Sequence, residues 1–208
     1  MPVFARAAPQ GGPVEAVIVK PLTPALWPRM EDLFGRSGAS NGCWCMYWRL
    51  GPGYKSTGRE ANKAALESLT AAGPPPGLLA LQGDLAVGWC QVGPRAALPW
   101  LERRLGRRVD ESPVWSLSCF YVRRTYRRRG VTDALIAAAV ALAKESGAHA
   151  LEAYPIDTAV PGHSSNLFTG TASAFRRAGF EAAGWRSPSR PIMRRDLGRP
   201  HAPGGPTS

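Results

Sequence analysis

One junction between a strand and a helix constrains the fold of this chain more than any other feature of its sequence. An apolar run, Val114–Val122, leads into a turn with five arginines and one glycine, and a helical pattern follows over residues 133–146. The first amide groups of a helix have no partner inside it, and the helix dipole favours negative charge at that end. Gly130 also lets the backbone approach a ligand closely. The sequence therefore predicts an anion site at this junction, suited to phosphate and above all to pyrophosphate.

The junction belongs to a longer crossover unit. Residues 150–156 form the next apolar run, and Gly147 ends the helix that precedes it. A strand, a helix and a strand in this order make a right-handed connection, so we expect the two strands to be parallel neighbours. Pro155 has no N–H for the sheet ladder, which predicts that the second strand parts from its neighbour there. An ordinary proline on an edge strand is the alternative.

The rest of the chain predicts shorter elements around this unit. Strands are expected at residues 14–19, 77–82, 85–92, 181–186 and 191–196, and helices at residues 24–34, 60–72 and 171–178. Antiparallel strands then flank a parallel central pair, which defines an α/β domain with a mixed sheet. We expect this single domain over residues 14–197, between mobile tails at residues 1–13 and 198–208 that are rich in proline and glycine.

The composition of the chain limits its cellular compartment and the kinds of partner that it can bind. The 208-residue chain has no apolar run near the length of about 18 residues that spans a membrane. Its N-terminus lacks the apolar region of a signal peptide, so we expect a cytoplasmic protein. The four cysteines, Cys43, Cys45, Cys90 and Cys119, suit a reducing compartment rather than a disulfide framework. A formal net charge of +11 favours an anionic partner, either a phosphate-bearing cofactor or a nucleic acid.

The arginine turn resembles a known phosphate-binding signature. Arg127-x-x-Gly130-x-Thr132 is similar to the Q/R-x-x-G-x-G/A pattern of the GCN5-related N-acetyltransferases (GNATs), which hold the pyrophosphate of acetyl-CoA in this way. Thr132 departs from the final Gly or Ala of that pattern. A threonine at a helix start can cap the helix, although its branched side chain narrows the phosphate pocket.

Other segments carry the same resemblance. Residues 175–180, FRRAGF, look like the aromatic-x-x-x-Gly-Phe end of the family's last helix. The GCWCMYWR loop at residues 42–49, together with residues 87–90 and 190–195, resembles a group of small bacterial members of the family. The resemblance covers roughly residues 14–197 and implies the GNAT acyl-CoA N-acyltransferase fold.

The resemblance implies an N-acetyltransferase that moves the acetyl group of acetyl-CoA directly to an amine of a small molecule or peptide, without a metal. Backbone amides near the end of the central strand would receive the pantetheine arm and the oxyanion, and the arginine turn would receive the pyrophosphate. The predicted cofactor-binding residues are Phe120, Tyr121, Val122, Arg124, Arg127, Arg128, Arg129, Gly130, Val131 and Thr132. A solvated basic connection is the alternative for this turn.

Direct transfer needs a group that accepts the proton of the amine. Glu152 and Tyr154 share one face of their strand because side chains alternate with a period of two. We predict Glu152 as the base, directly or through water, and an exposed or salt-bridged strand carboxylate is the alternative. His163 lies on a loop that could reach the site and is the second candidate, against the alternative of a solvated loop histidine.

The acid that protonates the departing thiolate is where the sequence leaves the family pattern. The family's usual tyrosine is replaced by Phe175, which cannot donate a proton. Tyr154, Ser164, Ser165 or water would have to take this role. Phe175 also favours the alternative function, which is a catalytically weak CoA-binding regulatory module of the same fold.

The aromatic loop carries the predicted acceptor site. Trp44, Met46, Tyr47 and Trp48 lie in the region that lines the acceptor pocket in the resembling fold, so aromatic walls would suit an apolar or aromatic amine. A loop anchored in the core by its tryptophans is the alternative. We expect no metal at the neighbouring cysteines, because a zinc site needs about four ligands.

Nucleic acid binding is the least favoured reading of the charge. The second group of arginines lies on a short helical pattern and is interpreted as a solvated face; it consists of Arg103, Arg104, Arg107 and Arg108. No nucleic-acid-binding motif accompanies either group. The expected partners are acetyl-CoA and an amine acceptor, and a homodimer is compatible with the fold although no segment fixes its interface.

Overall fold

The computed structural model describes residues 16–105 and 113–198. Within these ranges the strands are β1 (Ile18–Pro21), β2 (Gly77–Gln82), β3 (Leu85–Pro94), β4 (Val114–Val122), β5 (Ala150–Ala153), β6 (Glu181–Ser187) and β7 (Arg190–Asp196). The α-helices are α1 (Trp27–Phe34), α2 (Tyr47–Leu50), α3 (Tyr54–Thr57), α4 (Arg59–Ala72), α5 (Pro99–Leu105), α6 (Val131–Glu145) and α7 (Ala172–Arg177). The predicted tails, apart from Gly198, lie outside the described residues, as do Arg107 and Arg108.

The strands form one mixed sheet in the order β1-β2-β3-β4-β5-β7-β6. β4 and β5 run parallel, whereas all other neighbouring pairs are antiparallel. The predicted fold class and the parallel central pair are therefore confirmed. β5 is shorter than predicted, since it ends at Ala153 rather than at Ile156.

Two short helices, α2 and α3, were not predicted from the sequence. Each has four residues, which is too short for a helical pattern of apolar residues to emerge. α5 lies in the helical pattern that was predicted around Arg103 and Arg104. Gly51 and Gly58 end α2 and α3 in backbone conformations with φ of 61° and 88°, which favour glycine. The segment 47–57 is thus a compact pair of helical turns, and its first three residues belong to the predicted 42–49 loop.

Helices cover both faces of the sheet. α6 packs its buried residues, including Leu135 and Ile136, with Leu117 of β4. α1 and α4 cover the opposite face, where Phe34 lies in one apolar cluster with Trp89 of β3. α6 approaches β3 so closely at Gly88 that an added Cβ would lie 2.6 Å from Cγ1 of Val131. This contact fixes the N-terminus of α6 beside the end of β4.

The central pair of strands separates halfway along β4. β4 pairs with β5 only from Val114 to Leu117 and continues to Val122 paired with β3 alone. At the same point β4 carries a bulge, because Gln91 of β3 lies opposite Cys119 while Val92 lies opposite Leu117. The separation that Pro155 predicts is present, and it begins just after Ala153. The sheet therefore has a gap between the second half of β4 and the chain that follows β5.

No helix within residues 16–105 and 113–198 is long and apolar enough to cross a membrane.

Candidate active site

The gap beside β4 is lined by two backbone amides. Arg123 donates its N–H to the carbonyl of Val87 on β3 at 2.9 Å. Because N–H groups alternate in direction along a strand, the amides of Val122 and Phe120 point the other way, into the gap. The structure thus brings the two predicted pantetheine amides to one side of β4. Tyr121 is different, since its ring packs 5.5 Å from that of Phe34, in the cluster on the other face of the sheet.

A segment of the chain itself lies in this gap. The N–H of Phe120 donates to the carbonyl of Phe168 at 2.6 Å, and the N–H of Ile156 donates to the carbonyl of Gly170 at 3.0 Å. The ring of Phe168 packs 6.0 Å from Tyr47 and 6.2 Å from Trp48. The segment 168–170 therefore links the two sides of the gap and holds one of the two predicted amides.

The predicted phosphate turn has the conformation of an open helix N-terminus. Arg128 and Gly130 have positive φ values of 61° and 78°, and the first bond within α6 runs from the N–H of Ala134 to the carbonyl of Gly130 at 3.0 Å. The amides of Val131 and Thr132 consequently have no acceptor within the helix. Gly130 itself is the N-cap residue, so the expectation that Thr132 caps the helix is wrong.

The side chains of the turn concentrate positive charge in solvent. Four arginines are exposed and have no carboxylate partner within the described residues: Arg124, Arg127, Arg128 and Arg129. The Nε of Arg127 donates to the carbonyl of Val122 at 3.2 Å, which ties the turn to the end of β4. Arg123, by contrast, is neutralised by Asp32 at 2.7 Å. The turn can therefore attract an anion without first breaking an ion pair.

Glu152 lies at the centre of a buried polar network. Its side chain is 1% exposed, and its two oxygens lie 3.1 Å from Nη1 of Arg95 and 3.4 Å from Nη1 of Arg194. Tyr154 donates its hydroxyl to Oε2 of Glu152 at 3.0 Å and lies 2.8 Å from Oγ of Ser116. Burial, assisted by the charge of Glu152, raises the pKa of Tyr154 well above its ordinary value.

This geometry matches the salt-bridged alternative for Glu152. The strand face that Glu152 shares with Tyr154 is as predicted, but both carboxylate oxygens already have guanidinium partners. Arg95 and Arg194 were not predicted from the sequence as members of this site. Arg194 lies directly opposite Glu152 in the β5–β7 pairing, so only knowledge of the strand register could have found it. Arg95 follows β3 and carries no local signal of its role.

The other candidates for proton transfer are not brought to this network. Nδ1 of His163 lies 3.0 Å from the carbonyl of Val160 within its own loop. Ser164 and Ser165 are exposed. Phe175 is buried in the core, 6.0 Å from the ring of Phe120, and offers no polar atom.

The aromatic loop is divided between core and gap. Trp44 is buried and stacks 5.9 Å from Trp27, which matches the alternative of a core anchor. Met46 is buried too. Trp48 is also buried, and its Nε1 donates to the carbonyl of Ser118 in the β4 bulge at 2.9 Å. Tyr47 is half-buried against Trp48. Of the four predicted acceptor residues, Tyr47 and Trp48 therefore lie beside the gap.

Two cysteine thiols meet next to the bulge. Sγ of Cys45 lies 3.7 Å from Sγ of Cys119 and accepts from Nε1 of Trp89 at 3.0 Å. The hydrogen bond to the Cys119 thiol, together with burial, holds the pKa of the Cys45 thiol well above its ordinary value. In the described part of the chain, no three His, Cys, Asp or Glu side chains are grouped as metal ligands would be.

Sequence comparison identifies the class to which this fold and cleft belong. The sequence model of the Acetyltransferase (GNAT) family matches residues 43–167, which is more than half of the chain. The chain therefore belongs to the GNAT family. No protein with curated function matches its sequence.

Solved structures share the fold at low sequence identity. A histone acetyltransferase HPA2 and related acetyltransferase from Corynebacterium glutamicum is 20% identical, with a TM-score of 0.55 over 89% of this chain and 99% of its own. A ribosomal-protein-alanine N-acetyltransferase from Brucella melitensis is 20% identical, with a TM-score of 0.52 over 86% and 99%. An N-acetyltransferase from Staphylococcus aureus is 14% identical, with a TM-score of 0.53 over 88% and 99%. At these identities the likeness concerns the fold.

Proposed function

We propose that the protein is an acetyl-CoA-dependent N-acetyltransferase that moves the acetyl group directly to an amine of a small molecule or peptide. One observation carries this proposal: the gap beside β4, lined by the amides of Phe120 and Val122, opens next to the exposed arginine turn at the start of α6. A ligand with a long polar arm and a pyrophosphate end matches that arrangement. Membership of the GNAT family supports the same reaction.

The turn would hold the pyrophosphate. The amides of residues 128–132 would donate to phosphate oxygens, as expected at a helix N-terminus with an unpaired first turn. The side chains of Arg124 and Arg127 would add charge-assisted hydrogen bonds. Val131 contributes only its amide, because its side chain is buried against β3.

The transfer step forms an N–C bond and breaks a C–S bond. A neutral amine attacks the thioester carbonyl, the carbonyl oxygen gains negative charge, and the N–H of Phe120 would stabilise it. That N–H is held by the carbonyl of Phe168, so the segment 168–170 has to move before the acetyl group can be seated. We infer that cofactor binding displaces this segment.

Two protons have to be transferred in the step. The attacking amine loses one, for which we keep Glu152, acting directly or through water, as the first candidate and His163 as the second. The departing thiolate gains one, for which we keep Tyr154 as the candidate donor; its hydroxyl is protonated at neutral pH, although its raised pKa makes it a weaker acid than an ordinary tyrosine. Tyr47 and Trp48 would form the aromatic wall on the acceptor side.

A catalytically weak CoA-binding module remains the second candidate. The occupied amide of Phe120 and the apolar ring of Phe175 favour it. The two candidates share the cofactor and differ in turnover. Release of CoA thiol in the presence of a panel of amines separates them: a panel with no release above spontaneous hydrolysis, in a protein that binds acetyl-CoA, supports the module.

Calorimetric titration with acetyl-CoA tests the proposal first. Gly130→Glu places a carboxylate where phosphate should bind, and we expect binding to weaken by at least about tenfold. Gly147→Glu is the matched control, because Gly147 also has a positive φ, 74°, and lies just beyond the other end of α6. Equal losses in both variants, or no binding by the wild type, would contradict the proposed cofactor.

A further inference from the structure

A second cavity lies away from the gap, at the far end of β3. It has a volume of about 190 Å³ and is walled by the C-terminus of α4, the proline run 74–76 and residues 91–94 of β3. Leu69, Val92 and Leu98 add apolar surface. Arg49 is the one ionisable side chain among the residues that line it. The cavity is therefore an apolar chamber with a single positive charge in its wall.

Within the described residues, the guanidinium of Arg49 has no counter-ion. Its Nη1 donates to the carbonyl of Ala97 at 2.6 Å, whereas its Nε is buried without a hydrogen-bond partner. No carboxylate lies within ion-pair distance of it in residues 16–105 and 113–198. Burial lowers the pKa of Arg49, which reflects the loss of water around the charge.

Arg95 shows how this protein treats another guanidinium in the same region. The side chain of Arg95 is 5% exposed and contacts two carboxylates. Its Nη1 lies 3.1 Å from Oε2 of Glu152, and its Nε lies 3.2 Å from Oε1 of Glu102. Buried charges are normally paired in this way because an unpaired one is costly to desolvate. Arg49 is half-buried and lines the cavity, and no carboxylate pairs with it within the described residues.

The shape and chemistry of the cavity define what would offset this cost. An anion would pair with the guanidinium, and a carboxylate matches its planar fork of donors. The proline, valine and leucine walls would bury an apolar body. An engineered cavity of about 150 Å³ accommodates benzene, so this one is large enough for a small aromatic or aliphatic acid.

We propose that this cavity binds a small monocarboxylate, with the carboxylate on Arg49 and the apolar part against the prolines and Val92. The proposal does not depend on acetyl transfer. Gln91 lines the cavity and also accepts from Oγ of Ser118 in the β4 bulge, at 2.9 Å. The bound acid would therefore lie one side chain away from the bulge that opens the candidate active site.

Titration with benzoate, followed by ligand-observed NMR and calorimetry, tests this proposal. We expect millimolar or tighter binding to the wild type and no comparable binding of the neutral analogue benzamide. Arg49→Gln removes the charge and should weaken benzoate by at least about tenfold. Arg36→Gln, an equal loss of charge at an exposed site, is the control and should leave the affinity unchanged.

A second variant keeps the test decisive if Arg49→Gln does not fold. Gly93 lines the cavity, and an added Cβ there would meet no atom within 4 Å. Gly93→Leu should therefore fold, reduce the cavity and weaken benzoate while Arg49 stays in place. Undiminished benzoate binding in Gly93→Leu, equal effects of the Arg49 and Arg36 substitutions, or equal affinity for benzamide would overturn the proposal. Acetyl-CoA titration of the same variants reports on the proposed function separately.

Discussion

The arginine turn and the Glu152 network place positive charge in opposite settings. The turn is one contiguous segment, and four of its arginines stand in solvent without a carboxylate in the described part of the chain. The network is buried, and its arginines come from beyond β3 and from β7 to meet Glu152 of β5. Unpaired exposed charge is available to a ligand, whereas the paired charge of the network joins β5 to β7 and to the segment after β3. We therefore expect substitutions in the turn to weaken ligand binding and substitutions in the network to lower stability.

The largest effect should come from the network. Glu152→Gln removes the shared carboxylate from buried Arg95, which keeps Glu102, and from half-buried Arg194, which keeps Asp196. Because charge-assisted hydrogen bonds to a buried carboxylate are lost, we expect the free energy of unfolding to fall by about 2 kcal/mol. Urea denaturation measures this. Asp84→Asn removes the same charge from an exposed ion pair with Arg29 and should change stability little. A Glu152→Gln variant as stable as Asp84→Asn would mean that the network is not structural.

The turn should show the converse behaviour. Replacing Arg127, Arg128 and Arg129 by glutamine should weaken acetyl-CoA by about tenfold or more, because several charge-assisted contacts are lost together. The free energy of unfolding should stay nearly the same, since these side chains are exposed. Arg103→Gln with Arg104→Gln removes exposed arginines on α5 and serves as the control. Equal losses of affinity in both sets would point to general charge attraction.

The same contrast explains what sequence alone could predict. The position of the turn between a strand and a helix was predicted because its strand, glycine and helix are neighbours in the chain. β4 was predicted with its exact bounds, and α6 begins at Val131 rather than at residue 133. The network could not be predicted, because Arg95 and Glu152 are 57 residues apart. The pairing of Glu152 with Arg194 requires the register of β5 and β7. The sequence pattern predicted a feature whose residues are neighbours in the chain, but it did not predict side-chain contacts between residues far apart in the chain.

The strand face on which a side chain lies was predictable, but the burial and the contacts of that side chain were not. The period of two correctly placed Glu152 and Tyr154 together, and their hydroxyl–carboxylate bond of 3.0 Å follows. It did not indicate that both would be buried, nor that Trp44 would turn into the core while Tyr47 stays near the gap. Trp44 and Cys45 have positive φ values of 42° and 57°, a backbone conformation that no side-chain pattern predicts.

The pH dependence of stability should report on the hydroxyl of Tyr154. Its pKa is raised in the folded protein, so the unfolded chain loses this proton first, from about pH 10 upward. The stability that the protonated hydroxyl contributes is complete below that pH and is lost as pH rises through the folded value. The difference in free energy of unfolding between wild type and Tyr154→Phe should therefore shrink above about pH 10. A difference that stays constant with pH would contradict a buried, protonated tyrosine.

The smallest expected effect concerns the segment that lies in the gap. Its carbonyl holds the N–H of Phe120, and the ring of Phe168 anchors it against Tyr47 and Trp48. Aromatic pairs of this kind contribute about 1 kcal/mol. Phe168→Ala should weaken the anchor, ease displacement of the segment and tighten acetyl-CoA by a few-fold, as measured by calorimetry. Leu167→Ala, at an exposed neighbour, should have no effect. Weaker binding in Phe168→Ala would show instead that the ring packs on the cofactor, and the segment would then belong to the bound state rather than compete with it.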